Sequence, residues 1–447
     1  MSDTNGNIEK VKAFLAGSVE NAKPMLKQLH PSEIAKILEE LSPESRKVIV
    51  GMLPVETISE AIVEMGEETR PEELLMSLTP EKAARIIEEL DPDDAADLLA
   101  EIPREDLRII FERVSHTEKV EITKLMNYPQ DSAGGIMNPQ VLSIPAEWTK
   151  REAMDEVMRI SEEMEDFYAI YVVDAHRVLL GVVPLKRLIQ AKPWVKVGEL
   201  VTDNLVKVQV DQDQEEVARV IQQYNLPALP VVDEKGILLG RITFDDIMDV
   251  IQEESTEDLL RIVGVNEDEE LRGSWRNAVK SRIPWLLVNL VTATIAGLVV
   301  SFFSTAIDKI VILASFMPIV AGVAGNGATQ ALAVTVRRIA VDGIAANRYM
   351  NVIIKEILVG LANGAVLGSL VGLAAFALGG TPMLGLVVFL AMASNLLVAA
   401  LAGSAIPLLL QRLGVDPAIA SSIIITAFTD ILGFSLLLGL ATAILGL

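Results

Sequence analysis

Cysteine is absent from the 447 residues, and histidine occurs only three times, at His30, His116 and His176. The first absence excludes disulfides and thiolate metal sites. The scatter of the histidines argues against zinc or copper held by imidazole. Aromatic residues make up 4% of the chain, and 38 Lys and Arg stand against 61 Asp and Glu. Nucleic acid is recognised by basic stripes, so no nucleic-acid partner is expected, and the same shortage argues against docking on anionic lipid. The opening MSDTNGNIEKVKAF has no apolar core and no cleavage site. It does not read as a signal peptide, and the soluble part is expected to stay in the cytosol.

What is present in quantity is apolar: 51% of the residues are hydrophobic while 22% are still charged. Those values suit a chain with soluble and membrane parts, and its length exceeds one ordinary domain. From Ile283 onward there are six Lys or Arg and five Asp or Glu. The first 282 residues therefore hold 32 basic and 56 acidic side chains, a net charge of −24. Many cytosolic domains are acidic for solubility alone. This density goes beyond that and favours a role for cations.

Residues 25–128 read as tandem short amphipathic helices. LHPSEIAKILEEL (Leu29 to Leu41), LTPEKAARIIEEL (Leu78 to Leu90) and LDPDDAADLLAEI (Leu90 to Ile102) share one plan. Each runs Leu-x-Pro, then acids in the first turn, then apolar residues at helical spacing. Proline at the helix start and acids near the positive end of the dipole are start signals, and their repetition predicts a small α-superhelix. YPQDSAGGIMNP (Tyr128 to Pro139) carries breakers and reads as a linker.

A duplication follows. IYVVDAHRVLLGVVPLKRLI (Ile170 to Ile189) aligns with LPVVDEKGILLGRITFDDIM (Leu229 to Met248), with the VVD triplets and the pair Gly181 and Gly240 offset by 59 residues. Each unit reads strand, turn, strand, helix, with an amphipathic helix ahead of it. The pattern resembles a pair of CBS modules, here 137–198 and 199–254. Residues 255–282 read as a charged connecting helix.

Five apolar stretches come next: Ile283–Phe303, Ile307–Val336, Val352–Leu378, Met383–Leu410 and Ile419–Leu447. Each is long enough to cross ~30 Å of hydrocarbon. Arg276, Lys280 and Arg282 precede the first, while Arg337, Arg338, Arg348 and Lys355 follow the second and Arg412 the fourth. The positive-inside rule then places the N-terminus inside and the C-terminus outside.

The last stretch contains one carboxylate, Asp430. An ionisable group there costs at least ~2.5 kcal/mol on insertion scales. Such a group usually faces a water-filled path or a partner. Ser422, Thr426, Asp430 and Gly433 share a stripe; a hydrogen bond from Asn395 is the structural alternative. In the second stretch, MPIVAGVAGNGATQ places Pro318, Gly322, Gly325 and Thr329 on one face, with Asn326 and Gln330 on a neighbouring one. Proline and glycine there are expected to break the helix and expose carbonyls to an ion path, or else to serve close packing. Gly360, Gly364, Gly368 and Gly372 in the third stretch read as a packing seam. One carboxylate makes a poor pore by itself, and a twofold homodimer would bring two together. Mg2+, which dehydrates reluctantly and uses one or two carboxylates, suits such a site.

In this order the pieces resemble the bacterial MgtE family of magnesium transport proteins, most specifically in PIVAGVAGNGATQ, in DPAIASSIIITAFTDILG (Asp416 to Gly433) and in YPQDSAGGIM. The resemblance implies a multi-domain membrane protein: segment 1–24, an N-terminal α-superhelical domain (25–128), α/β tandem CBS modules, the connecting helix and a five-helix transmembrane domain (283–447). It implies a homodimeric Mg2+ channel or transporter of the cell membrane. Asp430 and Thr426 would line the ion path with Pro318, Ala321, Gly325 and Asn326. Cytosolic Mg2+ would close the path by bridging Asp91, Asp93, Asp94, Asp97, Asp213, Glu215, Asp246, Asp249, Glu254, Glu257, Asp258 and Asp416, with Gly135 through its carbonyl. Asn225 stands where some relatives have an acid. Lys186 and Arg187 stand where an Arg-Asp pair would help hold nucleotide, which counts against ATP as a ligand.

Three readings compete with Mg2+. A transporter selective for Co2+, Mn2+ or Ni2+ fits the same residues. An intramembrane aspartyl enzyme needs a carboxylate pair sharing a proton. An anion transporter needs basic groups or helix N-termini at depth, and the stretches carry no central Lys or Arg.

Overall fold

The computed structural model describes residues 23–446 apart from 67–68, 161–168, 203, 266–274, 343–348, 380 and 420–421. The side chain of Ser422, expected on the Asp430 stripe, and Arg348 both lie outside the described residues. The chain forms two compact units, Met1–Gln252 and Glu253–Leu447.

The first unit begins with short helices: α1 (Lys23–Leu26), α2 (Pro31–Glu39), α3 (Pro43–Met52), α4 (Val55–Val63), α5 (Pro71–Met76), α6 (Pro80–Glu89), α7 (Pro92–Ala100), α8 (Arg104–Phe111) and α9 (His116–Leu125). The Leu-x-Pro plan works as read. Proline sits in the first turn of α2, α3, α5, α6 and α7. Ser42, Thr79 and Ser115 cap α3, α6 and α9 with their hydroxyls, satisfying amides that have no partner inside a helix. At the other helix ends Arg46 donates to the carbonyls of Leu38, Glu39, Leu41 and Thr69. Ile34, Leu38, Ile58, Ile86 and Leu99 are fully buried between the helices.

Two sheets of one topology follow. In the first, β1 (Ser143–Pro145) runs parallel to β2 (Ala169–Val173), which is antiparallel to β3 (Leu179–Pro184), with α10 (Lys150–Ile160) between β1 and β2 and α11 (Leu185–Gln190) after β3. In the second, β4 (Val208–Gln209), α12 (Gln214–Tyr224), β5 (Ala228–Val232), β6 (Leu238–Thr243) and α13 (Phe244–Val263) repeat it. The duplication extends to register: Val172 pairs with Gly181, and Val231 with Gly240. β1 and β4 are three and two residues long, too short for an alternation of apolar residues to announce them. The modules meet through Tyr171, Val173, Leu179, Val232 and Leu238. The second module shares one continuous core with the N-terminal helices, from Leu26 to Val250.

Tyr128 to Pro139, read as a linker, is stitched to the second module. Ala133 donates to Gln212, Gly134 to Val210 and Asn138 to Arg241, at 2.7, 2.8 and 2.8 Å. The acid-rich connection also differs from the sequence expectation. The last sensor helix and the connecting helix are one, α13, and the helix stops at Gly264, whose φ of 74° is open to glycine.

Among the described residues, the second unit holds five helices long and apolar enough to cross a membrane: α14 (Trp275–Phe302), then, after the short α15 (Ser304–Lys309), α16 (Leu313–Asp342), α17 (Tyr349–Gly379), α18 (Pro382–Arg412) and α19 (Ser422–Leu445). α18 is the central one and touches α16, α17 and α19. The four glycines of α17 form the expected seam: a Cβ on Gly364 would lie 3.0 Å from Ala393 Cα, and one on Gly372 2.8 Å from the Gly385 carbonyl. α14 packs on α19 and leaves Leu286, Leu290 and Leu298 about three-fifths exposed. α16 corrects one expectation, since it runs unbroken through Pro318 and its glycines.

Candidate cation sites and the ion path

The acids of the first unit converge where the sequence grouped them. Asp91 is the N-cap of α7 yet makes no capping hydrogen bond with its side chain. Asp91, Asp93 and Asp94 each offer a carboxylate oxygen within 4.8 Å of the others. Asp93 is 7% exposed, and its Oδ1 is buried with no hydrogen-bond partner. Burial pushes the Asp93 carboxyl well above its ordinary range, and Asp94, Asp246 and Asp91 push it further. Asp94 rises to about 7 by burial, then by Asp91, Asp246, Asp97 and Asp245. Asp246 is raised by burial although it accepts the Thr243 amide at 2.9 Å and the Thr243 hydroxyl at 2.5 Å. Asp249 is raised by partial burial and by Glu64 and Asp245. Carboxylates of α7 and Glu64, just past the end of α4, thus face carboxylates of α13. No base counters Asp93 or Asp94 among these causes, so a proton or a bound cation must offset the repulsion. Oxygen donors alone suit a hard divalent ion.

Other predicted ligands stand apart from that cluster. Asp213 caps α12 by accepting the Glu215 amide at 2.9 Å, and Glu215 pairs with Arg219 at 3.6 Å. Gly135 is buried in the stitched segment, where a Cβ would collide with the carbonyls of Pro129 and Gln130. Its glycine identity has that steric cause.

In the second unit Glu254, Glu257 and Asp258 lie on α13, half-buried, and Asp416 precedes α19. Asp258 is pushed up to about 6 by burial, then by Asp416 and Glu254, against the pull of Arg261 and Arg337. Arg261 was not singled out by the sequence reading; it pairs with both Glu257 and Asp416.

The two candidate segments of the ion path touch. A Cβ on Gly325 of α16 would sit 3.1 Å from Thr426 Cγ2 and 3.7 Å from the Thr429 hydroxyl of α19, one turn before Asp430. The faces of α16 differ from the predicted grouping. Pro318, Gly322, Asn326 and Gln330, at steps of four, form an open stripe, while Ala321 and Gly325 are buried. The Gly325 carbonyl accepts the Thr329 hydroxyl at 3.1 Å. Asp430 is half-buried and makes no hydrogen bond or ion pair among the described residues. Asn395 instead donates to the Val320 carbonyl at 3.2 Å. Glu356, 6% exposed within α17, is a further buried acid of this unit that lies beside Lys355 at 3.8 Å and carries no local motif to mark it.

A membrane unit whose last helix carries a carboxylate without a partner among the described residues, in one chain with a CBS-bearing unit where buried acids crowd at Asp93 and Asp94, defines a cation-handling integral membrane protein. Comparison with known proteins narrows this. Residues 317–440 match the MgtE divalent cation transporter family, 29–131 the MgtE intracellular N domain, and 133–193 and 197–253 the CBS domain. The chain is 32% identical to the magnesium transporter MgtE of Bacillus subtilis, over 96% of this chain and 94% of that protein. It is 32% identical to that of Thermus thermophilus, over 97% of each. The cytosolic domain of the Mg2+ channel MgtE in complex with ATP superposes with a TM-score of 0.51 at 34% identity, covering 54% of this chain and 97% of that one. The soluble part of a magnesium transporter gives 0.52 at 28% identity, covering 57% and 100%. The chain belongs to the MgtE family.

Proposed function

We propose that this protein carries Mg2+ across the cell membrane and is closed by Mg2+ on its cytosolic side. The observation that carries the transport reading is Asp430: an intramembrane carboxylate without a partner among the described residues is tolerated where it meets water and a cation. Thr426, Ala321, Gly325 and Asn326 accompany it on the path. A second copy of the chain supplies the other half. The open stripe of α16 carries the amides of Asn326 and Gln330, which are costly against lipid. The soluble unit lies in the cytosol and the C-terminus outside, as the flanking Arg and Lys direct.

Closure follows from differential affinity. Bringing α7 and α4 against α13 concentrates like charge at Asp93, Asp94 and Asp246. Divalent ions bound there favour the closed arrangement by as much as they prefer it. When cytosolic Mg2+ falls, the repulsion is released and the soluble unit loosens. ATP has no part in this account: the first-module groove lacks the Arg-Asp pair, and Arg187 donates to the Val201 carbonyl at 3.2 Å.

The test is flux of Mg2+ into liposomes holding the purified full chain. Asp430→Asn should lower flux by on the order of tenfold or more, since one charge at a pore site accounts for several kcal/mol. Full divalent flux through Asp430→Ala would sink the assignment. Competition by Mn2+, Co2+ and Ni2+ measures selectivity, and reversal potentials with and without a proton gradient separate passive from coupled transport.

A further inference from the structure

Glu257 and Asp416 both belong to the expected Mg2+ ligands, yet a side chain of the same unit bridges them. Arg261 Nη2 pairs with Glu257 Oε1, and Arg261 Nη1 with Asp416 Oδ2. The other Asp416 oxygen accepts the Ala418 amide at 2.8 Å, so both oxygens of that carboxylate are engaged. The three side chains are 25–29% exposed, sheltered enough for the pairs to outweigh ordinary surface ones. The contact is more than ionic. A Cβ on Gly264 would collide with Ile423, at the start of α19, and Ile262 packs against the cluster of Ala324, Ala328, Ala418 and Ile425. The end of α13 therefore rests on α16 and on the beginning of the helix that carries Asp430.

A divalent ion joining Glu257 to Asp416 would have to evict a guanidinium that is covalently part of the helix. Glu257 and Asp416 thus do not fit a Mg2+ held between them. The geometry points to Arg261 as the resident counter-cation of this junction: a guanidinium, in place of Mg2+, ties the connecting helix to the fifth span, and the tie holds without divalent ions. Mg2+ sensing then falls to the other expected ligands. Only the effect of the tie on flux rests on the transport reading.

Because the chain has no cysteine, Leu259→Cys and Leu413→Cys, at residues 62% and 67% exposed, give a spin-label pair across the junction. The distance is measured in the full chain in nanodiscs, with EDTA and with millimolar Mg2+. With Arg261 intact, one short distance is expected in both conditions. Arg261→Gln should raise the separated population in EDTA on the order of fivefold or more, and Mg2+ should reverse it. Arg261→Lys should fall between. Separation in EDTA with Arg261 intact, or no change on Arg261→Gln, would overturn the proposal. Should Arg261→Gln not fold, Asp416→Asn removes the same pair from its other end, keeps an acceptor for Ala418, and should raise the separated population in EDTA likewise. In liposomes Arg261→Gln should increase flux at low Mg2+. Absence of Mg2+ flux from the unaltered chain would count against transport alone, because the label distances are read without it.

Discussion

The side-chain amide of Asn395, on α18, donates to the carbonyl of Val320, on α16, across 3.2 Å, and both residues are fully buried. The third helix at this point is α19, where a Cβ on Gly433 would come 2.5 Å from Asn395 Nδ2. Asn395 therefore fixes the spacing of three helices one turn from Asp430. Gly433→Ala forces it out of place, at a cost of about 1–3 kcal/mol by overpacking. Asn395→Ala alone should cost about 1 kcal/mol or less, since intramembrane hydrogen bonds average about 0.6. The double variant should regain most of what Gly433→Ala loses in thermal stability and in flux. Additive losses would show that the two side chains do not meet.

The seam between α17 and α18 makes a separate prediction. Gly372 and Gly385 face each other, each with its would-be Cβ 2.8 Å from the other's carbonyl. Gly372→Val should lower the midpoint of thermal unfolding in detergent by several degrees, on the scale of about 2–4 °C per kcal/mol. Asn363→Ala, at an exposed position of the same helix, should leave the midpoint within about 1 °C, because surface changes rarely exceed ±0.5 kcal/mol.

Asp93 is a buried carboxyl whose Oδ1 has no partner. Asp93→Asn removes a group whose ionisation burial and three neighbouring acids oppose. In EDTA at neutral pH the variant should unfold at a higher temperature than the parent, by about 2 °C or more. Added Mg2+ should stabilise it less than it stabilises the parent. A lower midpoint in EDTA would mean that Asp93 is held by a favourable contact instead of being strained.

Much of this was legible in the residues. The Leu-x-Pro starts, the duplicated VVD units and the apolar stretches each repeat a local rule, and local rules survive folding. What escaped depends on rotation and on neighbours. Pro318 and Gly325 share a face by count, but packing against Thr426 turns Gly325 inward and leaves Pro318 outside. Arg261 looked like one charge on a charged helix; only the approach of Asp416, far along the chain, gives it a role. Asn395 was weighed as a partner for Asp430, and its nearest acceptor proved to be a backbone carbonyl on another helix. Asp213, grouped with the ligands by resemblance, bridges to Ser132 in the stitched segment that also holds Gly135, and neither belongs to the Asp91–Asp94 cluster.

The raised carboxyls also predict how pH and Mg2+ are linked. Asp94 titrates at about 7 in the folded unit against an ordinary 3.8. Between those values the folded form holds a proton that the unfolded form has lost, so stability falls as pH rises through the window. Below it both forms are protonated and nothing further is gained. Above it both are ionised and the full cost of repulsion is felt. Asp91, Asp97, Asp245 and Asp246 face the group with like charge, while Arg241 pulls Asp246 the other way. Mg2+ needs the ionised carboxylates, so its binding must expel protons where they are still held. Calorimetric titration of the full chain in two buffers of different ionisation enthalpy should show proton release at about pH 6 and little at about pH 9. The apparent Mg2+ affinity should rise across that interval, and stabilisation by Mg2+ should be larger at the alkaline end. Equal proton release at both values would place Mg2+ away from Asp93 and Asp94.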